Sequence, residues 1–329
     1  MKNETNFEDA MTSDLVNNPD VGSGSLQPFL AGDFLLGATL LNNPDDDHAG
    51  DGRIFQFGAD GTQKAVLHTP DTTHLVKGLM FGPDNVLWAF DTSRHAILQV
   101  GPDGKRLANP EFQKRPWSSG FFDKAGNLYL YEHITGTMAD VPEKYHHMQS
   151  TLPGQGDKIG DGNVYKFSPD GTFLETYETE TSTSFAGYLG VTSCTLHPSE
   201  KYITYTTETS KRIMRYDIVN NKQMDDLVQL PEDQPEYVFC LNYCADGMLL
   251  VTRGPKIEVI DEGGDVARTY PLEGRGWATI KESVDQKHIL VSSFFKGILL
   301  KMSKESGEVV AEMKVGAERS LAGVAEFPG

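Results

Sequence analysis

A turn signal returns along this chain at a nearly fixed interval, and that recurrence limits the possible folds more than any other feature of the sequence. Short apolar runs close on Ala59-Asp60-Gly61, Pro102-Asp103-Gly104, Pro169-Asp170-Gly171, Asn220-Asn221, Gly263-Gly264 and Ser306-Gly307. The last residues of these turns are spaced by 43, 67, 50, 43 and 43 positions, so a period of 43 is interrupted by insertions of 24 and 7 residues. Each unit carries a β-branched and aromatic strand (34–41, 85–91, 127–133, 202–208, 248–254, 288–294). A second strand runs into the turn (53–58, 96–101, 163–168, 212–218, 256–261, 297–303). A third leaves it (63–69, 105–111, 172–179, 225–231, 266–272, 308–315). Strands at 8–12-residue spacing in units of about four predict an all-β fold, a six-bladed β-propeller.

The fourth strand opens each unit (78–81, 120–123, 192–196, 240–244, 277–280), except that nothing of the kind precedes Phe34. Residues 323–327, Gly-Val-Ala-Glu-Phe, have the missing character. The expectation is therefore a ring closed by the C-terminal strand, which completes the N-terminal blade and leaves no blade edge free. Residues 1–28 read as a polar N-terminal tail and 29–329 as a single propeller domain.

A net charge of −18 argues against nucleic acid or an anionic membrane surface as a partner, since both demand clustered Lys and Arg. No run of 18 apolar residues is present to span a bilayer, and the first 28 residues lack the apolar core of a secretory signal. Three cysteines (Cys194, Cys240, Cys244) make no even framework, which fits a reducing cytoplasm, and strand parity gives Cys240 and Cys244 to the core.

With strands lettered A to D from the axis outward, the D–A and B–C connections emerge on one face. The irregular segments belong to that face: a loop at 42–52 containing Asp45-Asp46-Asp47-His48, and a lid-like insertion at 134–162 containing Tyr145-His146-His147-Met148. Long loops gathered on one face of a rigid scaffold indicate a binding site. The D–A connections add His74, Lys77, Arg115, Trp117, Ser118, Phe185, Tyr188, Glu236, Tyr237, Arg275, Trp277, Arg319 and Ser320. Aromatic walls with few polar groups suit a small-molecule substrate. Substrate contacts are expected from Trp117, Tyr188, Arg275, Trp277, Arg319, His48, Tyr145 and His146. Glu236 is the only carboxylate in this ring, so it is the expected acid–base catalyst, with His74, Lys77 and Tyr237 as neighbours that tune it. No Gly-x-Ser-x-Gly elbow and no phosphate or dinucleotide loop is present.

Residues 77–89 (KGLMFGPDNVLWA), 122–130 (FDKAGNLYL) and 162–171 (GNVYKFSPDG) carry a resemblance. From about residue 30 onward the chain resembles the six-bladed propellers of the gluconolactonase and regucalcin-like (senescence-marker-protein-like) family, with their strictosidine-synthase-like and NHL-repeat relatives. The resemblance implies a divalent cation, usually calcium, held at the axis by Glu, Asn and Asp. The matching positions here are Lys77, Ser118, Thr192, Phe239, Gly276 and Ala322, none of them a carboxylate or an amide. No metal ligand is therefore assigned and no cofactor is expected, although calcium stays open, as do the acidic stretches at 45–48 and 157–161. The reading that follows is an enzyme acting on an aromatic or cyclic small molecule by acid–base chemistry: lyase, isomerase, cyclase, or lactone or ester hydrolase. A metal-dependent lactonase and a protein-binding, NHL-like propeller without catalysis are the alternatives.

Overall fold

The computed structural model describes residues 25–43, 45–47, 49–70, 72, 77–182 and 186–329. Six antiparallel sheets follow one another along the chain as the blades of a propeller. In order from the axis outward, blade 1 is Gly323–Glu326, Phe34–Leu41, Gly50–Phe57 and Gln63–Thr69. Blade 3 is Trp117–Phe122, Leu128–Glu132, Val164–Phe167 and Phe173–Tyr177; blade 5 is Val238–Tyr243, Leu249–Arg253, Lys256–Ile260 and Val266–Pro271. Blade 6 is Trp277–Glu282, His288–Ser293, Ile298–Ser303 and Val309–Lys314.

The turn signals work locally. At Pro102-Asp103-Gly104 the Asp103 carboxylate accepts the Lys105 amide hydrogen (3.1 Å), and Gly104 supplies the left-handed backbone that closes the turn (φ +81). Asp60 and Asp170 repeat this arrangement with the amides of Thr62 (2.9 Å) and Thr172 (3.1 Å).

Two outer strands depart from expectation. Blade 2 consists of Gly78–Phe81, Leu87–Asp91 and Ala96–Val100, with no strand over 105–111; a single bridge joins Val100 to Arg106. Pairing reaches no further than the Leu107 amide, which donates to the Gln99 carbonyl (2.9 Å), and Pro110, without an amide donor and restricting Asn109, cannot resume it. Blade 4 runs Ser193–Leu196, Tyr202–Thr206 and Arg212–Asp217, and its outer edge is split between Lys222–Gln223 and Val228–Gln229.

Ring closure by the C-terminal strand is present. Gly323–Glu326 pairs with the strand beginning at Phe34 through Leu35↔Ala325 and Leu36↔Val324, and the Phe327 amide continues the ladder to the Asp33 carbonyl (2.8 Å). Between blades 1 and 2, Phe327 packs with Phe29 and Phe81 (ring centroids 5.5 and 5.1 Å) above Leu35, Leu67, Leu79 and Leu87. Leu26 is buried in the same cluster, so the chain joins the core just before residue 29.

The blade 3 insertion is folded. Thr135–Thr137 pairs with Lys158–Asp161, two 3-10 turns (Met138–Asp140, Glu143–Met148) lie between them, and Ile134, Val141, Ile159 and Tyr188 form a small core beneath. It reaches over neighbouring blades. His147 Nε2 lies 2.8 Å from the Asp46 carboxylate of the blade 1 loop, and the Ser150 hydroxyl donates to the Ser93 carbonyl of blade 2 (2.8 Å). Among the described residues no helix is long and apolar enough to cross a membrane.

Candidate functional site

Where the inner strands begin, a cavity of about 240 Å³ opens at the mouth of the axial channel, on the face that carries the insertion. Strand geometry decides who lines it. In blades 3, 5 and 6 the inner strand slips register at its first residues, between Trp117 and Ser119, Val238 and Cys240, and Trp277 and Thr279. These slips are β-bulges, each placing one extra residue on the inner strand. The extra residues are Ser118, Phe239 and Ala278, and all three line the cavity.

A second set comes from the neighbouring strand. Gly78, Ser119, Ser193 and Thr279 pair with Phe90, Tyr131, Thr206 and Ser292. Two residues past each partner stand Thr92, His133, Glu208 and Phe294, four repeat-equivalent positions that converge on the cavity. Lys77 and Asp47 complete its polar wall, Phe90, Phe239, Phe294 and Phe295 its apolar one. Gly276 is required where it stands: a Cβ there would lie 2.3 Å from the Phe295 ring, and its φ is +79.

The central polar contact is an ion pair across the mouth, Lys77 Nζ to Glu208 Oε2 at 2.6 Å. The Lys77 side chain is 9% exposed and that of Glu208 is 26% exposed, so the carboxylate keeps a face toward the cavity while the ammonium is nearly covered. Asp47 lies at the rim, 3.7 Å from Arg319.

Of the residues expected to act, Lys77 lines the cavity and Arg319 touches its rim through Asp47. His74, His48 and Phe185 lie outside the described residues. Glu236 is not among the lining residues. It sits in a charge cluster with Arg253 (3.3 Å) and Lys256 (2.9 Å), which also hold Glu258, rather than beside Lys77 or Arg319. Tyr237 is half-buried beneath the Lys211 ammonium (5.6 Å from the ring centroid). Trp117 and Trp277, expected in the wall, are 1% and 2% exposed and belong to the cores between blades, because the bulge that follows each one turns the tryptophan away and the next residue inward. Tyr188 is core to the insertion, Tyr145 packs at its edge, His146 caps the Val141 carbonyl (2.8 Å) and Arg275 is exposed.

Glu208 and His133 were missed. Both end their strands at the same place in the repeat, and aligning the repeats by that last residue is the signal that finds them.

Arg115 is buried with Glu132 (2.9 Å), the Tyr165 hydroxyl (2.6 Å) and Asp161 beneath the insertion. Burial raises the Glu132 carboxyl to about 7, against the opposing pull of Arg115. This cluster anchors the insertion's base to blade 3. Among the described residues no group of three or more His, Cys, Asp or Glu side chains is arranged to hold a metal ion.

Neither a protein-family model nor a curated protein matches the chain. Solved structures do. A chain of the nidogen/laminin complex superposes with a TM-score of 0.61 at 13% identity, covering 90% of this chain and 98% of that one. A protein from Lactobacillus plantarum gives 0.56 at 13% identity, with 90% and 99% covered. A virginiamycin B lyase from Staphylococcus aureus overlaps more loosely, at 0.49 and 16% identity over 74% and 70%. At such identities the likeness is one of fold. The resemblance to gluconolactonase and regucalcin-like propellers thus stands, as a finding, only at the level of the six-bladed propeller.

Proposed function

We propose that the protein is an enzyme that moves a proton on a small aromatic or cyclic substrate in the channel-mouth cavity, with Glu208 in the role first given to Glu236. The observation that carries this reading is the Lys77–Glu208 pair, 2.6 Å apart and opening onto a cavity walled by four phenylalanines. A carboxylate on the cavity wall can accept a proton, and the ammonium paired with it can face negative charge that develops on a substrate carbonyl oxygen. The phenylalanine wall lowers the dielectric around this exchange and strengthens both interactions. His133, on the neighbouring blade, lines the same cavity and is the candidate for returning the proton. Elimination, isomerisation, cyclisation and hydrolysis of a lactone or ester are reactions that such a pair serves.

A metal-independent course is favoured by Lys77 itself. Its charge stands at the axial entrance where the resemblance implies a cation, and like charge opposes one.

Turnover of a panel of lactones, aryl esters and cyclic β-substituted ketones tests the proposal, using the wild type, Glu208→Gln and Glu236→Gln. Glu208→Gln is expected to lose about 10²-fold or more in kcat with its melting temperature retained, the scale of a general acid–base contribution. Glu236→Gln should stay within a few-fold. Equal turnover by Glu208→Gln overturns the assignment. If no panel member is turned over or shifts the melting temperature, the protein-binding reading takes its place.

A further inference from the structure

Below the mouth, the axial channel widens into a second cavity of about 500 Å³ that runs toward the opposite face. Lys77 lines both spaces and so forms the partition between them. The second space is walled by inner-strand residues, including Ser193, Cys240, Asn242, Thr279 and Lys281.

Lys281 is unusual among them. It stands on the inner strand of blade 6, and its ammonium donates to the Leu79 carbonyl on the inner strand of blade 2 (2.7 Å). Among the described residues no carboxylate pairs with it. The carboxylates nearest in the wall are engaged at the far rim: Glu282 accepts from Lys304 and from the Ala245 amide (2.7 Å), and Glu326 accepts the Val284 amide (2.9 Å). Protein surrounds Lys281, and what surface it retains faces the channel. Burial lowers its pKa to about 8. Lys281 is half-buried with one carbonyl as its protein partner, so its ammonium keeps two donors and a positive charge to offer a ligand in the channel.

A second observation on the same strand points the same way. Thr279, two residues before Lys281 and on the same face, is 3% exposed, and its hydroxyl has no hydrogen-bond partner. Buried hydroxyls are normally satisfied, and an unpartnered one on a residue that lines the cavity two positions from Lys281 marks a place where an acceptor is missing.

We infer that the axial channel holds an anion site in which Lys281 and Thr279 together bind a small oxyanion, a carboxylate or an inorganic anion such as phosphate. The site is separate from the mouth cavity and does not rest on the reaction proposed there. Its size admits a compact metabolite acid as readily as a bare ion.

Melting temperatures of the full-length protein titrated with acetate or with inorganic phosphate at matched ionic strength test it, comparing the wild type with Lys281→Met and Thr279→Val. The wild type should be stabilised saturably. Lys281→Met, which keeps the apolar stem, should raise the half-saturating concentration at least tenfold, and Thr279→Val should raise it by a smaller factor. A response to acetate alone assigns a carboxylate ligand, and one to phosphate alone assigns an inorganic anion. If Lys281→Met does not fold, Lys281→Gln takes its place, and a bromide-soaked crystal of the wild type gives an independent reading through an anomalous peak beside Lys281 Nζ. Identical titrations in wild type and variant, or bromide found only elsewhere, overturn the inference.

Discussion

Replacing Phe327 by alanine should destabilise the whole propeller out of proportion to its place as the third-last residue of the sequence. The side chain is 5% exposed, sits against Phe29 and Phe81 at 5.5 and 5.1 Å, and covers Leu35 and Leu79. It also anchors the strand Gly323–Glu326, the one strand among the described residues that pairs with the inner edge of Phe34–Leu41. Removing a buried phenylalanine from such a site costs about 3–5 kcal/mol, transfer and cavity together. Against a global stability of about 5–15 kcal/mol this is a large share. Urea unfolding followed by tryptophan fluorescence should show the midpoint falling by about 1–1.5 M with the slope unchanged. Val266→Ala, on an outer strand and 49% exposed, is the control and should move stability by about 0.5 kcal/mol or less. A midpoint for Phe327→Ala within the error of that control would refute closure as the element that holds the ring together.

Three further outcomes are expected. His95 is buried on the blade 2 hairpin under the insertion, and burial, then Arg115 and Lys114, lower its pKa to about 4 from an ordinary 6.5. The folded protein binds this proton less tightly than the unfolded chain, so the stability contributed by the neutral ring is complete above pH 6.5 and is lost as the pH falls toward 4. Across that window the wild type should lose up to about 3 kcal/mol more than His95→Asn in urea titrations, asparagine being chosen because it tolerates the left-handed backbone here (φ +52). Replacing residues 137–158 with a short Gly-Ser linker should keep the cooperative transition and raise KM, and an unchanged KM would make the insertion a mere ornament of the rim. Treatment with EDTA should leave turnover within twofold, and a loss restored by calcium would contradict the reading of Lys77 as a charge that repels cations.

The architecture was legible because its signals are local. Each Asp-Gly turn closes on its own side-chain cap and its own left-handed glycine, so the 43-residue period survives in the sequence whatever the strands pack against. Closure was legible for a related reason: one unit lacked an opening strand and one strand lacked a unit. The site was less so. A β-bulge shifts side-chain parity by one, and alternation cannot reveal where the shift falls. Hence Trp117 and Trp277 were given to the mouth, whereas the bulge sends them between blades and presents Ser118 and Ala278. Glu236 was singled out for its chain position, yet which cation a carboxylate meets depends on neighbours distant in sequence. Arg253 and Lys256 claim Glu236, while Lys77, 131 residues away from Glu208, selects that residue for the cavity. The outer strand of blade 2 failed because its pairing ends at Leu107 and Pro110 cannot resume a ladder that composition alone favoured.

The most direct measurement of the central claim is a crystal structure of Glu208→Gln soaked with a panel compound that the wild type turns over. The account predicts density in the channel-mouth cavity, with a carbonyl or ring oxygen within hydrogen-bond reach of Lys77 Nζ, the reacting atom facing residue 208, and the ring against Phe239 and Phe294. Density placed instead beside Glu236, or on the outer strands with the cavity untouched, would contradict it.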